Sequence, residues 1–134
     1  MSKTELILEK QFGNLNTNEA YYQWAMKETG LPKAELEHLV EYIIQNIYEL
    51  RDTNIFEKLP KVKLAIATNH LSAIHTRLQP FQDHFDYVLV SADAEVQKPE
   101  PAFYKKLIEG LNEKPENIFF IDDSPENIEG AKAV

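Results

Sequence analysis

Three short apolar runs, separated by helical stretches, constrain the fold more than any other feature of this chain. The runs are Lys63–Ala67, Tyr87–Val90 and Asn117–Ile121, with helical patterns around 71–79 and 101–112 between them. Short runs that are apolar on both faces are typical of buried parallel strands. Because such strands alternate here with helices, the sequence predicts an α/β core built on a parallel sheet.

The first part of the chain, up to about residue 57, has a helical period instead. Asn16 or Thr17 can cap a helix that stops at Gly30. A second helix is predicted from Lys33 to Arg51. One face of it carries apolar residues at steps of three and four, namely Leu36, Leu39, Val40, Ile43, Ile44, Ile47 and Leu50. These two helices must bury their apolar faces against another part of the protein.

Composition excludes several classes of partner and of chemistry. The 134 residues carry a formal net charge of −8, which argues against nucleic-acid and anionic-membrane partners, since both favour a basic surface. The absence of cysteine excludes disulfides and thiolate chemistry. No signal peptide or apolar run long enough for a membrane span is present, so we expect a cytoplasmic protein.

The strongest chemical signal is the adjacent pair Asp122-Asp123 at the end of the third apolar run. Two ionised carboxylates beside an apolar core repel each other unless a cation or hydrogen-bond donors compensate. Mg²⁺, which prefers oxygen ligands, is the usual solution. The alternative is that one acid caps the next helix while the other is solvated.

Two weaker signals precede it along the chain. Thr68-Asn69 ends the first apolar run, where a hydroxyl and an amide can donate to phosphate oxygens. Lys98 precedes a proline and supplies a point charge suited to phosphate. Taken singly, an ordinary helix cap and a loop lysine are better explanations. Because all these positions fall near the carboxyl edge of one sheet, together they indicate a phosphate-handling site.

These residues carry a resemblance to a known family. The order Thr68-Asn69, then Lys-Pro-Glu-Pro-Ala-Phe-Tyr from Lys98, then Asp-Asp-Ser-Pro-Glu-Asn from Asp122, resembles motifs two to four of the haloacid dehalogenase-like hydrolase superfamily. The resemblance implies a Rossmann-like core, here partial, over 59–134. It also implies that residues 1–58 form the helical cap (C1-type) of a sugar-phosphate-phosphatase-like member.

The resemblance also implies roles for individual residues. Thr68 would be catalytic and bind the transferring phosphoryl group, with Asn69 assisting in the substrate site. Lys98, also catalytic and substrate-binding, would steady the phosphoryl charge and the nucleophile. Asp122 and Asp123 would hold Mg²⁺, with Asn127 in support. The cap aromatics Tyr21, Tyr22 and Trp24 could line the substrate entrance, although a place in the helix core suits them better.

The family's first motif, Asp-x-Asp after an N-terminal strand, supplies its nucleophile and its general acid/base. The 134 residues contain no Asp-x-Asp. Asp93-Ala94-Glu95 follows an apolar strand, but it lies on the approach to Lys98 and is interpreted as a loop. Asp52-Thr53-Asn54 follows a helix.

The missing motif has a structural consequence as well as a catalytic one. The family's first strand lies between those carrying motifs two and four, so the sheet is expected to be interrupted at its centre, unless those two strands pair directly. We expect the chain to be a product truncated at both ends, because it begins inside or just before the cap and Gly130–Val134 stops in mid-helix. We expect instability, self-association through the incomplete sheet, or a strand received from elsewhere.

Three functions follow from these expectations. The first is a Mg²⁺-dependent phosphatase, a phosphoric monoester hydrolase that acts on a small phosphorylated metabolite through an aspartyl-phosphate. The second is a catalytically inactive fragment that retains affinity for Mg²⁺ or phosphate. The third, carbon–halogen hydrolysis, shares the fold but is disfavoured by Asp122-Asp123, an acid pair that dehalogenases of this superfamily do not keep.

Overall fold

A computed structural model describes residues 1–48 and 54–134. Within these ranges the chain is helical before residue 64 and alternates between strands and helices after it. The helices are α1 (Lys3–Lys10), α2 (Asn18–Thr29), α3 (Lys33–Ile47), α4 (Ile55–Lys58), α5 (Ile74–Leu78), α6 (Ser91–Ala94), α7 (Pro101–Leu111) and α8 (Pro125–Lys132). The strands are β1 (Ala65–Thr68) and β2 (Tyr87–Val90), and 3₁₀ helices cover Gln79–His84 and Pro115–Asn117.

The helix signals in the first part of the chain are confirmed. Thr17 caps α2, and its hydroxyl accepts a hydrogen bond from the Ala20 N–H at 3.1 Å. Gly30 ends α2 with a left-handed φ of 73°. Helix α3 begins at Lys33 as predicted but ends at Ile47, earlier than predicted, because Tyr48 has an extended backbone. Leu50 and Arg51 lie outside the described residues. None of the described helices combines the length and apolar character that a bilayer crossing requires.

The predicted α/β fold with a parallel sheet is confirmed, but the sheet is smaller than expected. Strands β1 and β2 pair in parallel, with Ala65 opposite Tyr87 and Thr68 opposite Val90. In the described part of the chain the sheet contains these two strands alone. The interrupted sheet, rather than direct pairing of the first and third runs, is therefore what the structure shows.

The prediction of a third strand over Asn117–Ile121 is wrong. Asn117 closes a 3₁₀ helix, and residues 118–121 form no strand. Phe119 and Ile121 are 89% and 81% exposed, which is far more than a buried strand would allow. The physical reason is the lack of a neighbour. A strand needs backbone hydrogen-bond partners on a neighbouring strand, and no described segment provides them for residues 118–121.

Two apolar clusters lie on opposite faces of the small sheet. One joins the N-terminal helices to Leu71, Ile74 and Val90, and the other joins α7 to Leu89. Leu89 and Val90 point to different clusters because successive side chains alternate across a strand. The N-terminal helices thus share a core with the α/β part, and a boundary near residue 58 stays a prediction.

Tyr21 and Tyr22, which were candidates for the substrate entrance, belong to the first cluster. They are 0% and 8% exposed. The Tyr21 hydroxyl donates to the Leu8 carbonyl at 3.1 Å, so its one polar atom is satisfied inside the core. Trp24 packs against the same cluster and is partly buried. Tyr21 and Tyr22 therefore lie in the helix core and not at a substrate entrance.

Gly13 makes a close backbone contact that gives a first testable prediction. Its φ is +76°, and an added Cβ would lie 2.1 Å from the Asn69 carbonyl oxygen. Gly30 has a similar φ of +73° but nothing within 4 Å of the same position. Gly13→Ala should therefore lower the free energy of unfolding by about 3 kcal/mol, from backbone strain plus overpacking, and Gly30→Ala by about 1 kcal/mol.

Urea denaturation of the two variants, with the chain itself as reference, measures both losses. The matched backbone angle makes Gly30→Ala the control for strain alone. Equal losses at the two positions would mean that Gly13 does not pack against the end of β1 as described.

Candidate active site

The carboxyl end of β1 is tied directly to the loop that carries Lys98. The Asn69 side-chain amide donates to the Lys98 carbonyl at 2.9 Å, and the Lys98 N–H donates to Asn69 Oδ1 at 2.9 Å. Two reciprocal hydrogen bonds fix the position of one backbone relative to the other. The peptide bond between Lys98 and Pro99 is cis. Asn69 thus holds Lys98 at the edge of the sheet where β1 ends.

Lys98 forms a buried ion pair with Asp122. Its Nζ lies 2.6 Å from Asp122 Oδ2, and the two side chains are only 10% and 7% exposed. Asp122 Oδ1 also accepts from the Ser124 N–H at 2.9 Å and from Asn127 Nδ2 at 3.1 Å. Both carboxylate oxygens are therefore engaged.

Opposing effects set the pKa of Asp122. Burial, the largest, raises the pKa because it removes water from the charged form. Hydrogen bonds from Lys98, Ser124 and Asn127, together with the lysine charge, act in the other direction and prevail. The pKa of Asp122 thus lies below its ordinary value of 3.8, and the carboxylate is ionised at neutral pH.

Helix α8 carries Asn127, which donates to the Asp122 carboxylate. Its first turn begins at Pro125, and the Tyr104 hydroxyl of α7 donates to the Asn127 carbonyl at 2.7 Å. Gly130 lets α8 approach the Lys98 loop, because an added Cβ would lie 2.9 Å from both Cβ and the carbonyl oxygen of Pro99. The packing of α7, α8 and the loop thus positions Asn127 beside Asp122.

The predicted site residues are brought to one edge of the protein, but in unequal ways. Direct hydrogen bonds join Asn69, Lys98 and Asp122. Thr68 ends β1 immediately before Asn69 and is half-buried. Asp123 follows Asp122 and is exposed. The structure therefore joins Asn69, Lys98 and Asp122 by direct contacts, and it places Thr68 and Asp123 next to them along the backbone. The chemical roles of these residues stay predictions.

The carboxylates of Asp122 and Asp123 provide only part of the ligand set that a magnesium ion needs. Among the residues that the structure describes, no group of three His, Cys, Asp or Glu side chains could hold a metal ion. Asp122 already uses both oxygens, so Asp123 offers the accessible carboxylate. Mg²⁺ commonly takes one or two carboxylates and completes its shell with water and phosphate. The single accessible carboxylate of Asp123 therefore fits a site in which water and phosphate are the other ligands.

Asp93, considered above as part of a loop, lies in the short helix α6. Its carboxylate lies 2.5 Å from His75 Nε2 and also accepts a hydrogen bond from the Ser72 hydroxyl. Ser72 is bonded in turn to Asn18 at the start of α2. Asp93 therefore links the N-terminal helices to the α/β part.

His70 is a buried residue of the site region to which the sequence assigned no role. Its backbone N–H donates to the Ser91 hydroxyl at 2.9 Å. The Leu71 N–H lies 2.8 Å from Nδ1, and the Tyr48 hydroxyl lies 3.1 Å from Nε2. This geometry favours the neutral ring with its proton on Nε2. The position directly after Thr68-Asn69 was the only signal available in the sequence.

The environment of His70 gives a prediction for the pH dependence of stability. Burial, the main cause, lowers the pKa of His70 below 6.5, although the Leu71 carbonyl opposes the shift. The unfolded chain then binds a proton more readily than the folded chain. His70 should therefore contribute stability above pH 6.5 that is lost as the pH falls towards the folded pKa, at up to about 1.4 kcal/mol per pH unit.

Urea unfolding at a series of pH values tests this expectation, because it gives the slope of the free energy of unfolding against pH. His70→Gln should flatten the loss of stability below pH 6.5, whereas His38→Gln, at an exposed position of α3, should leave it unchanged. An unaltered slope in His70→Gln would show that the imidazole does not titrate differently in the folded and unfolded chains.

Comparison with known proteins connects this geometry to a family. The model of the haloacid dehalogenase-like hydrolases matches residues 18–134, which include all of the site described above. A search of the solved structures gave no significant match.

Curated relatives match over shorter stretches. The phosphorylated carbohydrates phosphatase of Thermotoga maritima is 29% identical over 87 residues, which cover 63% of this chain and 40% of that protein. The bifunctional epoxide hydrolase 2 of Rattus norvegicus is 37% identical over 49 residues, 37% of this chain and 9% of that protein. The chain thus spans less than half the length of these relatives. The family match over most of its length shows that it belongs to the haloacid dehalogenase-like hydrolases.

Proposed function

We propose that this chain supplies the phosphoryl-binding part of a Mg²⁺-dependent phosphatase for small phosphorylated metabolites. The observation that carries the proposal is the buried Lys98–Asp122 pair, held at the end of β1 by Asn69. A fixed cation paired with a carboxylate suits the charge that develops on a transferring phosphoryl group. The similarity to a phosphorylated carbohydrates phosphatase supports a phosphate ester as substrate.

The contacts of the polar residues support a different role for each of them. Lys98 would stabilise the phosphoryl oxygens, because its charge is held in place by Asp122 and is largely shielded from water. Thr68 would donate its hydroxyl to the same oxygens. The Asn69 side chain is already bonded to the Lys98 backbone, so Asn69 would position the lysine rather than bind the substrate.

Asp122 and Asp123 would also have separate roles. Asp122 would orient Lys98, since its oxygens are occupied by Lys98, Ser124 and Asn127. Asp123 would be the direct ligand of Mg²⁺ through its exposed carboxylate. The ion, when bound, neutralises the negative charge of the phosphoryl group and of the nearby acids.

The nucleophile of the proposed reaction is a carboxylate that these residues do not include. One of its oxygens would form a bond to phosphorus while the bond between phosphorus and the ester oxygen breaks, and the leaving alkoxide takes up a proton. Water would then attack the phosphorus of the acyl phosphate, releasing inorganic phosphate and regenerating the carboxylate. Lys98 and Thr68 would contact the phosphoryl group in both steps.

Joining an apolar strand that ends in Asp-Gly-Asp to the amino end of the chain tests this proposal. With Mg²⁺, the joined protein should release phosphate from p-nitrophenyl phosphate, and EDTA should abolish the release. The matched control changes the first aspartate of the added strand to asparagine. If a folded joined protein hydrolyses no phosphate ester, the proposed function is wrong.

A second candidate is a binding module without catalysis. It is favoured by one observation, the absence of any Asp-x-Asp from the 134 residues. Such a module would bind Mg²⁺ and phosphate through Asp123, Lys98 and Thr68. Calorimetric titration of the unaltered chain with Mg²⁺ and phosphate distinguishes the outcomes, since absence of heat and of any thermal shift would eliminate the binding module.

A further inference from the structure

Besides Asp122, the ammonium group of Lys98 has an aromatic neighbour, Phe120. Lys98 Nζ lies over the ring, 6.0 Å from its centroid. The face of an aromatic ring attracts a cation at this distance, and more strongly where water is excluded. The Lys98 side chain is only 10% exposed, whereas that of Lys33, which lies over the ring of Tyr22, is 49% exposed. The contact with Phe120 should therefore be the stronger of the two.

The backbone before Asp122 explains why the ring of Phe120 faces the ion pair. Along residues 118–123, partly buried and exposed positions alternate. Ile118, Phe120 and Asp122 are the partly buried ones. Alternate side chains of an extended segment point to the same side, even where the segment pairs with no neighbour. Phe120 and Asp122 thus reach Lys98 from the same side of this segment.

Phe120 is itself held by Tyr104 of α7. The two rings meet edge to face, with centroids 5.5 Å apart and an angle of 82° between their planes. Tyr104 is 3% exposed, and its hydroxyl donates to the Asn127 carbonyl. Asn127 donates in turn to Asp122, the partner of Lys98. The contacts therefore close a circuit of five residues around the ion pair.

A ring face suits a lysine that has to bind phosphoryl oxygens. An ammonium group has three N–H donors. Among the residues that the structure describes, the hydrogen bond of Lys98 Nζ goes to Asp122. A second carboxylate could also hold the lysine, but it would occupy another donor and offset the positive charge. The face of Phe120 attracts the cation without taking a donor, so two donors stay available to a substrate.

We propose that Phe120 is a positioning residue for Lys98, with its ring fixed in place by Tyr104. This inference rests on the proposed function, in which Lys98 contacts the phosphoryl oxygens. A lysine that is already oriented stabilises the charge of the transition state without reorganisation. Loss of the ring face should therefore lower kcat more than it changes KM. The competing explanation is that Phe120 only fills the second apolar cluster, against which it also packs.

A trifluorinated phenylalanine at position 120 separates these explanations. Fluorine withdraws negative charge from the ring face, while the ring keeps its apolar shape. In the joined protein, kcat for p-nitrophenyl phosphate should fall about fivefold or more, with KM little changed. Phe120→Tyr, which keeps an unfluorinated ring, should retain most of the rate. The same fluorinated residue at position 119, where Phe119 is 89% exposed, should leave kcat unchanged.

Nuclear magnetic resonance of the unaltered chain, with ¹³C-labelled lysine, gives a second readout that needs no activity. The protons on the carbon next to Lys98 Nζ should be shifted upfield by the ring of Phe120. Phe120→Leu should remove this shift, and Phe119→Leu should leave it unchanged. Lys98→Arg identifies the signal by its disappearance.

The two readouts distinguish failure of this inference from failure of the proposed function. An upfield shift that Phe120→Leu removes, together with an inactive joined protein, would support the contact and eliminate the phosphatase. Absence of the shift would overturn the inference. An active joined protein whose kcat falls in Phe120→Leu but not with the fluorinated ring would also overturn it, because Phe120 would then only fill the apolar cluster.

Discussion

Lys98→Met is expected to lower the free energy of unfolding by about 3–5 kcal/mol, a large part of the total stability of a domain. The substitution keeps most of the side-chain volume but removes the cation that lies 2.6 Å from Asp122. Asp122 would then be a buried charge, 7% exposed, with only the neutral donors of Ser124 and Asn127. Urea denaturation at neutral pH measures the loss.

The double variant Lys98→Met with Asp122→Asn is the control for this prediction. It removes both charges, so the cost of burying an uncompensated carboxylate disappears. We expect the double variant to be more stable than Lys98→Met alone. If the two variants were equally unstable, the loss would come from packing of the Lys98 side chain and not from the ion pair.

Asp123→Asn in the joined protein is expected to lower Mg²⁺-dependent hydrolysis of p-nitrophenyl phosphate by about a hundredfold or more. Asp123 is the accessible carboxylate of the site, so its loss should raise the Mg²⁺ concentration needed for half-maximal rate. Its exposure also means that the fold should be little affected. Steady-state rates across a Mg²⁺ titration measure both quantities.

Asp122→Asn separates the two carboxylates. This substitution removes the charge that orients Lys98, so the rate at saturating Mg²⁺ should fall while the half-saturating concentration changes little. The opposite pattern, with Mg²⁺ affinity lost in Asp122→Asn and retained in Asp123→Asn, would reverse the proposed roles of the two acids.

Local patterns in the sequence were sufficient for most of the fold. The cap at Thr17, the stop at Gly30 and the run Tyr87–Val90 are signals contained within a few residues, and all were confirmed. The run Asn117–Ile121 was predicted equally firmly from its composition but forms no strand. Strand formation depends on a neighbouring backbone, and composition alone does not reveal whether that neighbour is present.

The site was predicted as a set of residues but not as a set of contacts. Order and spacing indicated that Thr68, Lys98 and Asp122 lie near one edge. They did not reveal that Asn69 bonds to the Lys98 backbone, or that Asp122 pairs with Lys98. His70 was missed because its partners, Tyr48 and Ser91, are distant in sequence. Such contacts depend on packing, which a period or a motif does not encode.

The central claim is that this chain binds the phosphoryl group while an added strand supplies the nucleophile. The most direct test is an acid quench of the joined protein during turnover of p-nitrophenyl phosphate, followed by mass spectrometry. We expect one phosphoryl group on the first aspartate of the added strand, and neither the phosphoryl group nor turnover when that residue is asparagine. Undiminished phosphate release by the asparagine form, without a phosphorylated protein, would contradict the claim.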